Sequence, residues 1–477
     1  MSARAADVIP RAVVRRLRPE QEHTDVGNAR RLVELHGQDL RHDHVVGAWL
    51  LWDGQRWAAD TTGELDRRAK DTAAQLLHDA ADASTDDGRR NAGRHALASA
   101  NAGRLRAMVD LARSEPGVPV QAGDLDPDPL FLNVANGLLD LRTGHLGPHR
   151  RDALCTRMSP VEYDPQATAP TFQTFLERVL PDPDVRAFVQ RLAGYALTGD
   201  ASEQVLPVLV GAGANGKSTF VEILREVLGD YAATVPPDLL VTRRDGSPAP
   251  YGLIRLRGVR LATASETESG ARLSTALVKQ LTGGDTVTAR EHYSAFVDFR
   301  LAATVVLSTN HRPVIRDTTE SIWRRVRLLP FEVVIPPAER DPGLASRLKA
   351  ELPGVLAWAV RGCLEWQAHG LGSACAIDAA TSGYRADSDP LGGFVDEECI
   401  VSDSLSVAST ALYARWSAWC GARGEQPGTA SALGTRMKER GLTAQRTTGG
   451  SRVYRGLGLS TSSDVSDGSD VTPWEST

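Results

Sequence analysis

Apolar residues along the chain alternate between short strand-like runs and longer stretches with helical spacing. Residues 48–60, AWLLWDGQRWAAD, hold two aromatic runs joined at an Asp-Gly pair, which predicts a β-hairpin. Apolar positions over 61–114 recur at close to the helical period, so this stretch is predicted to be helical. Strand and turn signals alternate again over 130–146, and two helices are predicted to lead into an apolar strand at 205–210.

The second half of the chain predicts an α/β architecture. Residues 204–335 alternate apolar strands with helical stretches, as in a parallel sheet covered by helices. From the shifts in pattern and composition we predict six segments: a flexible lead (1–23), a mixed α+β domain (24–165), an α/β core with leading helices (166–343), a helical segment (344–393), a small unit of helices and a hairpin (394–459) and a disordered acidic tail (460–477).

Composition narrows the class of protein. No run of 18 apolar residues and no signal-peptide pattern occurs, so we expect no membrane partner. The five cysteines are far apart and form no Cys-x-x-Cys motif, which argues against a disulfide frame or a zinc site and favours the cytosol. The net charge of −6 excludes a chain that is basic throughout, although a local basic patch remains compatible with it.

A glycine-rich loop carries one of the five lysines among the 54 basic residues. The sequence GAGANGKSTF (211–220) follows the apolar run VLPVLV, with Gly211 and Gly216-Lys217-Ser218 at the spacing of a phosphate-binding loop. Backbone N–H groups of such a loop and the following helix N-terminus attract phosphate, while the lysine adds a charge and the serine hydroxyl a ligand for Mg²⁺. We therefore predict a nucleotide and Mg²⁺ as cofactors, bound by Gly211, Ala212, Gly213, Ala214, Asn215, Gly216, Lys217, Ser218 and Thr219.

Three further groups follow the loop in the order that a phosphate-loop ATPase needs. Glu266 and Glu268 come directly after an apolar strand, where an acid would hold Mg²⁺ and orient water. Asn310 ends the strand LAATVVLSTN and would sense the γ-phosphate, and Arg324 and Arg325 could neutralise charge in the transition state. Taken singly, these groups also fit surface glutamates, a strand-end cap and an Arg-rich helix edge. Their order behind one loop favours the catalytic interpretation.

The motifs GAGANGKST, SETESG, LVKQLTGGDTVTAR, LSTNHRPVI and SIWRRVRLLPF together resemble the superfamily 3 helicase domain of phage and plasmid primase-helicases, a group that includes the poxvirus primase-helicase. Upstream, TDVGNARRLVELHG, WLLWDGQRW, NGLLDLRTGHL and GYALTGD resemble the helicase-associated region of that family. The resemblance implies an α/β, AAA+-like P-loop helicase core preceded by a mixed α+β helicase-associated domain. It also implies a ring, usually a hexamer, that binds ATP between subunits and moves 3′ to 5′ on single-stranded DNA.

Roles for individual residues follow from the resemblance. Lys217 and Ser218 would be Walker A contacts, Ser218 and Glu266 would hold Mg²⁺, Glu266 and Glu268 would be the Walker B acids and Asn310 the sensor. An arginine of the WRR motif would reach the neighbouring subunit's site. We favour Arg325 over Arg324, because Arg325 is nearer the following strand and should be held more firmly.

The family places a DNA-contacting hairpin between the acids and the sensor, and TAREHYSAFVDF occupies that position here. Arg290, His292 and Tyr293 would face DNA, which suits backbone tracking and base stacking, although His292 and Tyr293 also fit plain hairpin residues. Lys279 lies in the adjoining family motif LVKQLTGGDTVTAR, and we expect it near phosphate of either ATP or DNA.

The C-terminal unit is predicted to be winged-helix-like. Residues 411–459 read as two helices followed by a hairpin, and they hold eight Arg or Lys against two acids, a balance of +6. Such a concentrated positive face is typical of DNA binding, although a solvated basic face would have the same composition. The candidate DNA-binding residues are Arg436, Lys438, Arg440, Arg446 and Arg452.

We therefore predict an ATP-driven DNA helicase that acts on single-stranded and forked DNA in the replication of a phage, plasmid or integrated element in the bacterial cytosol. Only about 23 residues precede the matching region, so we expect no primase activity in this chain and a separate primase or polymerase as partner. A non-translocating DNA-bound ATPase that remodels or recruits replication proteins is the alternative. A small-molecule P-loop kinase shares the loop, yet it would not explain the sensor, the paired arginines or the basic C-terminal unit.

Overall fold

A computed structural model describes residues 23–236, 239–241, 253–265, 271–289, 297–315, 317, 319–423, 426–446 and 452–460. Contacts divide the chain into two compact units, residues 1–314 with 319–381, and residues 315–318 with 382–477. The predicted flexible lead up to residue 22 and the predicted acidic tail from residue 461 lie outside the described residues.

The first unit begins with helices packed on a small sheet. Its elements are α1 (Asp25–His36), β1 (Leu40–Asp43), β2 (Ala48–Trp52), β3 (Trp57–Ala59), α2 (Glu64–Ala81), α3 (Asp86–Ser99), α4 (Ala102–Ala112) and β4 (Pro119–Val120). The sheet order is β3-β2-β1-β4, and β2 and β3 form the predicted hairpin. Leu32, Leu40, Leu65 and Met108 are buried between the sheet and the helices, so the helical spacing of the sequence corresponds to this core.

A three-stranded meander follows and shares a core with the next part of the chain. It consists of β5 (Phe131–Val134), β6 (Gly137–Asp140) and β7 (His145–Gly147). Leu132 and Leu139 of the meander belong to one hydrophobic cluster with the helices that follow residue 170. The buried Arg260 guanidinium donates to the carbonyls of Leu197 (2.6 Å) and Phe131 (2.5 Å), which ties the meander to the central sheet.

The central sheet is five-stranded and parallel. Its strands are β8 (Leu206–Val210), β9 (Ala232–Thr234), β10 (Leu261–Ser265), β13 (Thr304–Thr309) and β14 (Val326–Pro330), in the order β14-β8-β13-β10-β9. Between β10 and β13 the chain forms α8 (Thr275–Thr282) and the antiparallel strands β11 (Thr286–Ala289) and β12 (Val297–Arg300). Every residue of β13 is buried, including its threonines and its serine, as expected for a central strand of a parallel sheet that is covered on both faces.

Helices surround this sheet. They are α5 (Pro170–Val179), α6 (Pro183–Tyr195), α7 (Lys217–Leu228), the short α9 (Glu320–Trp323), α10 (Leu344–Ala350), α11 (Leu352–His369) and α12 (Cys375–Asp387). Helices α6 and α11 cross closely at two glycines. A Cβ on Gly194 would lie 2.0 Å from the Cys363 nitrogen, and one on Gly362 would lie 2.1 Å from the Gln190 carbonyl oxygen. Any larger residue at either position would force these helices apart.

The second unit contains α13 (Pro390–Glu398), β15 (Cys399–Ala408), α14 (Ser409–Ala422), α15 (Ala430–Glu439), β16 (Ala444–Arg446) and β17 (Arg452–Leu459). Its antiparallel sheet has the order β15-β17-β16, and Phe394, Trp416 and Met437 lie in its core. The sequence pattern did not predict β15. Apolar and polar residues are mixed along this edge strand, and even its apolar Ile400 and Val401 are exposed, so no regular alternation marks it. The strand is formed by pairing with the distant β17.

Candidate nucleotide site and DNA-facing surfaces

The glycine-rich loop joins the end of β8 to the start of α7, as the sequence predicted. A Cβ on Gly211 would lie 2.0 Å from Asn215 Nδ2 and 2.2 Å from the Phe331 carbonyl oxygen, so no other residue fits there. Gly213 (φ +99°) and Gly216 (φ +84°) adopt the left-handed backbone that glycine tolerates. The loop therefore has the tight curvature that directs backbone N–H groups toward an anion.

Lys217 is the first residue of α7, directly after the loop, and 4% of its surface is exposed. Its Nζ donates to the Gly211 carbonyl (2.6 Å), to Asn215 Oδ1 (3.1 Å) and to Asn310 Oδ1 (3.2 Å). Asn215 in turn donates from Nδ2 to the Phe331 carbonyl (3.0 Å). The structure thus brings together two residues that are 93 positions apart, the predicted Walker lysine and the predicted sensor.

The carboxyl ends of three strands meet at this edge of the sheet. Leu209 of β8 pairs with Ser308 of β13, and Ser308 pairs with Ser265 of β10. Parallel α/β sheets bind their ligands at such a carboxyl edge. Glu266 and Glu268 follow Ser265 in the sequence, and both lie outside the described residues.

Ser218 is exposed in the first turn of α7, where its hydroxyl could bind a magnesium ion. Within the described residues, no group of three or more His, Cys, Asp or Glu side chains could hold a metal. Magnesium at nucleotide sites commonly takes one or two protein oxygens, with phosphate and water supplying the rest. The exposed serine oxygen is consistent with that mode of binding.

Arg324 and Arg325 lie between α9 and β14 and have different surroundings. Arg325 is 7% exposed, and it donates to Thr282 Oγ1 (3.0 Å), to the Ser321 carbonyl (2.5 Å) and to Gln204 Oε1 (3.2 Å). Arg324 is exposed and donates from Nη2 to Gln204 Oε1 (3.1 Å). Burial and the Arg324 charge lower the pKa of Arg325. Arg325 is held firmly, as the sequence suggested, but it is held inside its own subunit.

The candidate DNA-facing residues of the first unit are only partly described. Strands β11 and β12 pair antiparallel up to Ala289 and Val297, so the residues between them join two strands of a hairpin, as predicted. Arg290, His292 and Tyr293 themselves lie outside the described residues. Lys279 is half-buried on α8, the helix that precedes β11.

The basic residues of the second unit fall into two groups. Lys438 on α15, Arg446 on β16 and Arg452 on β17 are exposed. Arg436 lies with its guanidinium carbon 5.7 Å from the Trp416 ring centroid, and Arg440 forms an ion pair with Asp389, the N-cap residue of α13. The last two side chains are therefore engaged within the unit.

Arg446 and Arg452 lie directly opposite each other on the paired strands β16 and β17. Like charges at facing positions of a sheet destabilise it. Such a pair therefore suits a surface on which an external anion binds.

Two further properties of the described residues concern membrane insertion and the reactivity of the cysteines. Among the described residues, no helix combines the length and apolarity needed to cross a bilayer. Burial raises the pKa of Cys155 and of Cys363 to about 12, so these thiols are poor nucleophiles at neutral pH.

Comparison with known families identifies the chain. Residues 29–181 match a family described as D5 N terminal like, residues 209–325 match a family of unknown function (DUF5906), and residues 386–445 match a family described as Poxvirus D5 protein-like. The three regions occur in the order that the sequence motifs predicted. The chain belongs to the D5-like superfamily 3 primase-helicases.

Several relatives in this family are viral. A protein of Acanthamoeba polyphaga mimivirus, L207/L206, named as a predicted helicase, is 32% identical over 213 residues, which cover 44% of this chain and 22% of that protein. The predicted helicase 121R of Invertebrate iridescent virus 3 is 26% identical over 46% of this chain and 24% of its own length. African swine fever virus C962R, named as a predicted primase, is 28% identical over 43% and 22%. The chain thus matches about a quarter or less of each of these viral proteins.

A solved structure shares the fold of this D5-like chain. The A form apo structure of the NrS-1 C-terminal region superposes with a TM-score of 0.50 at 11% identity, over 88% of this chain and 96% of that one. The similarity extends across most of both chains and concerns the fold alone.

Proposed function

We propose that this D5-like chain is an ATP-driven DNA helicase that acts in the replication of a phage, plasmid or integrated element in a bacterial host. One observation carries the proposal. Lys217 of the glycine-rich loop and Asn310 at the end of β13 meet at 3.2 Å on the carboxyl edge of the parallel sheet. This arrangement supports an AAA+-like ATPase site, and the names of the viral relatives support its use in unwinding DNA.

Within this site each residue has a distinct task. The loop amides and Lys217 bind the phosphates, and Lys217 exchanges its contacts with Gly211 and Asn310 for phosphate oxygens. Ser218 and Glu266 would hold Mg²⁺, which neutralises phosphate charge when bound. Glu268 orients the attacking water, and Asn310 then lies where it can contact the γ-phosphate.

Hydrolysis in our proposal requires a ring, most simply a hexamer, with each nucleotide bound between two subunits. The burial of Arg325 favours Arg324 as the arginine that acts in trans, because a residue with three internal hydrogen bonds cannot reach a neighbour without breaking them. Arg324 is exposed, and among the described residues no carboxylate pairs with it. Its charge is thus available to the neighbouring subunit's nucleotide.

DNA contacts are proposed at two surfaces. The hairpin of β11 and β12 would place Arg290, His292 and Tyr293 toward single-stranded DNA in the ring, moving 3′ to 5′, with Lys279 near phosphate of ATP or DNA. The second unit would act as a winged-helix-like module, with α15 as recognition helix and the β16–β17 hairpin as wing. The facing arginines of that hairpin support this, because DNA phosphate would relieve their repulsion.

The alternative is a DNA-bound ATPase that remodels or recruits replication proteins without translocating. A separate primase or polymerase would be a partner in either case. Strand displacement on a forked duplex with a 3′ single-stranded arm separates the two functions. We expect ATP-dependent displacement by the full chain and none by Lys217→Ala. DNA-stimulated hydrolysis without displacement would favour the alternative, and wild-type hydrolysis by Lys217→Ala would refute the nucleotide site.

A further inference from the structure

Gln204 lies in the turn between α6 and β8, next to the two arginines, and no sequence pattern marked it. Its Oε1 accepts hydrogen bonds from the Nη2 atoms of Arg324 (3.1 Å) and Arg325 (3.2 Å). Guanidinium groups only donate, so the amide oxygen has to face them, and this determines which way the amide points. One neutral oxygen thus joins the buried arginine to the exposed one.

The backbone around Gln204 is held in an unfavourable conformation. Its φ of +50° lies in the left-handed region, which non-glycine residues seldom adopt unless their surroundings impose it. Glu203 Oε1 accepts from Trp366 Nε1 (2.6 Å), and on the other side the Leu206 nitrogen donates to the Arg325 carbonyl (2.7 Å). Contacts on both flanks therefore direct the Gln204 side chain toward the start of β14.

The two arginines depend on Gln204 to different degrees. Arg325 has two other hydrogen-bond partners, Thr282 and Ser321. For Arg324, the bond to Gln204 is the one side-chain hydrogen bond in the described part of the chain, and it uses one of the five guanidinium N–H donors. Because the amide is neutral, it orients Arg324 without cancelling its charge, and the other donors stay available for an external anion.

We propose that Gln204 is a positioning residue that orients Arg324 toward the nucleotide of the neighbouring subunit. This rests on the proposed function, in which Arg324 acts in trans. Without Gln204 the exposed Arg324 side chain would sample many rotamers, and the fraction poised for the neighbour would fall. We expect roughly a tenfold loss of hydrolysis, the size typical of one hydrogen bond to a charged group.

A directional mixing experiment tests this. Lys217→Ala subunits supply intact arginines, and Arg324→Ala subunits supply intact loops, so their mixture should recover part of the ATPase activity. Gln204→Gly, which fits the left-handed backbone, is then added to one partner at a time. When Gln204→Gly is in the Lys217→Ala subunits, which supply Arg324, it should lower the recovered activity about tenfold. When it is in the Arg324→Ala subunits, it should leave the recovered activity unchanged. The KM for ATP should stay the same, because the intact loops are untouched.

Two further variants separate positioning from local stability. Gln204→Asn tolerates the left-handed backbone but is one methylene too short, so it should behave as Gln204→Gly does. Ser202→Gly loosens the same turn, and no side-chain hydrogen bond of Ser202 occurs among the described residues, so it should leave the recovered activity unchanged. Equal losses from Gln204→Gly in both partners, or no loss in either, would overturn the positioning role while the trans arginine stands. No recovery in a mixture shown to exchange subunits would overturn the trans arginine itself and this inference with it.

Discussion

Replacing Arg324 and Arg325 one at a time with alanine should separate an effect on rate from an effect on stability. Arg325→Ala removes three hydrogen bonds from a residue that is 7% exposed, and it leaves the buried Thr282 hydroxyl and the partly buried Ser321 carbonyl without that partner. At about 1 kcal/mol for each hydrogen bond, the free energy of unfolding should fall by about 3 kcal/mol. For a large domain that corresponds to a fall in Tm of roughly 6 °C.

Arg324→Ala should have the opposite profile. The side chain is exposed and gives up one hydrogen bond to Gln204, so the cost to stability should stay below about 1 kcal/mol. If Arg324 is the trans arginine, hydrolysis should fall by about 10³ or more, which corresponds to at least about 4 kcal/mol on the barrier. Nucleotide binding should persist, because Lys217 and the loop amides remain.

Thermal melting, steady-state hydrolysis and titration with a fluorescent ATP analogue would measure the three quantities on the same preparations. Arg327→Ala is a suitable control, because its guanidinium bonds the adjacent carbonyls of Arg324 and Val326 and should change neither rate nor affinity. An Arg325 variant that melts normally but is inactive, beside an active Arg324 variant, would refute the reasoning from burial.

Three other changes test separate parts of the molecule. Gly211→Ala should abolish nucleotide binding itself, since its Cβ would lie 2.0 Å from Asn215 Nδ2, and retained binding would contradict the loop geometry. Replacing Arg446 and Arg452 together with alanine should weaken duplex-DNA binding and reduce the slope of log affinity against log salt concentration by roughly one to two. Tm should not fall, because the two like charges face each other. An unchanged slope would mean that the two arginines are only solvated. Burial lowers the pKa of His42 in the folded protein. At acid pH the unfolded chain therefore binds a proton that the folded chain does not, and the free energy of unfolding should fall as the pH drops through about 6.5. In His42→Gln the difference in Tm between pH 7.5 and pH 5.5 should be smaller than in the wild type. An unaltered difference would show that His42 does not contribute to the pH dependence.

Contiguous patterns in the sequence were sufficient to predict the glycine-rich loop and the main helices and strands. The loop needs glycines, a lysine and a hydroxyl in a set order between a strand and a helix, so a short window holds all the information. Mainly apolar runs predicted β8 and β13, because strands of a parallel sheet are buried on both faces. The order of the later motifs predicted Asn310 as the sensor, and in the structure its Oδ1 lies 3.2 Å from Lys217 Nζ. Its role as a sensor stays a prediction.

Only the tertiary structure decided what depends on partners far away in the sequence. Arg324 and Arg325 are neighbours of identical chemistry, and both donate to Gln204. Only Arg325 is buried and also donates to Thr282, which lies 43 residues away in the sequence. Similarly, β15 exists because β17 pairs with it. Burial and long-range hydrogen bonds are properties of the packed chain, so no local pattern could have distinguished the two arginines.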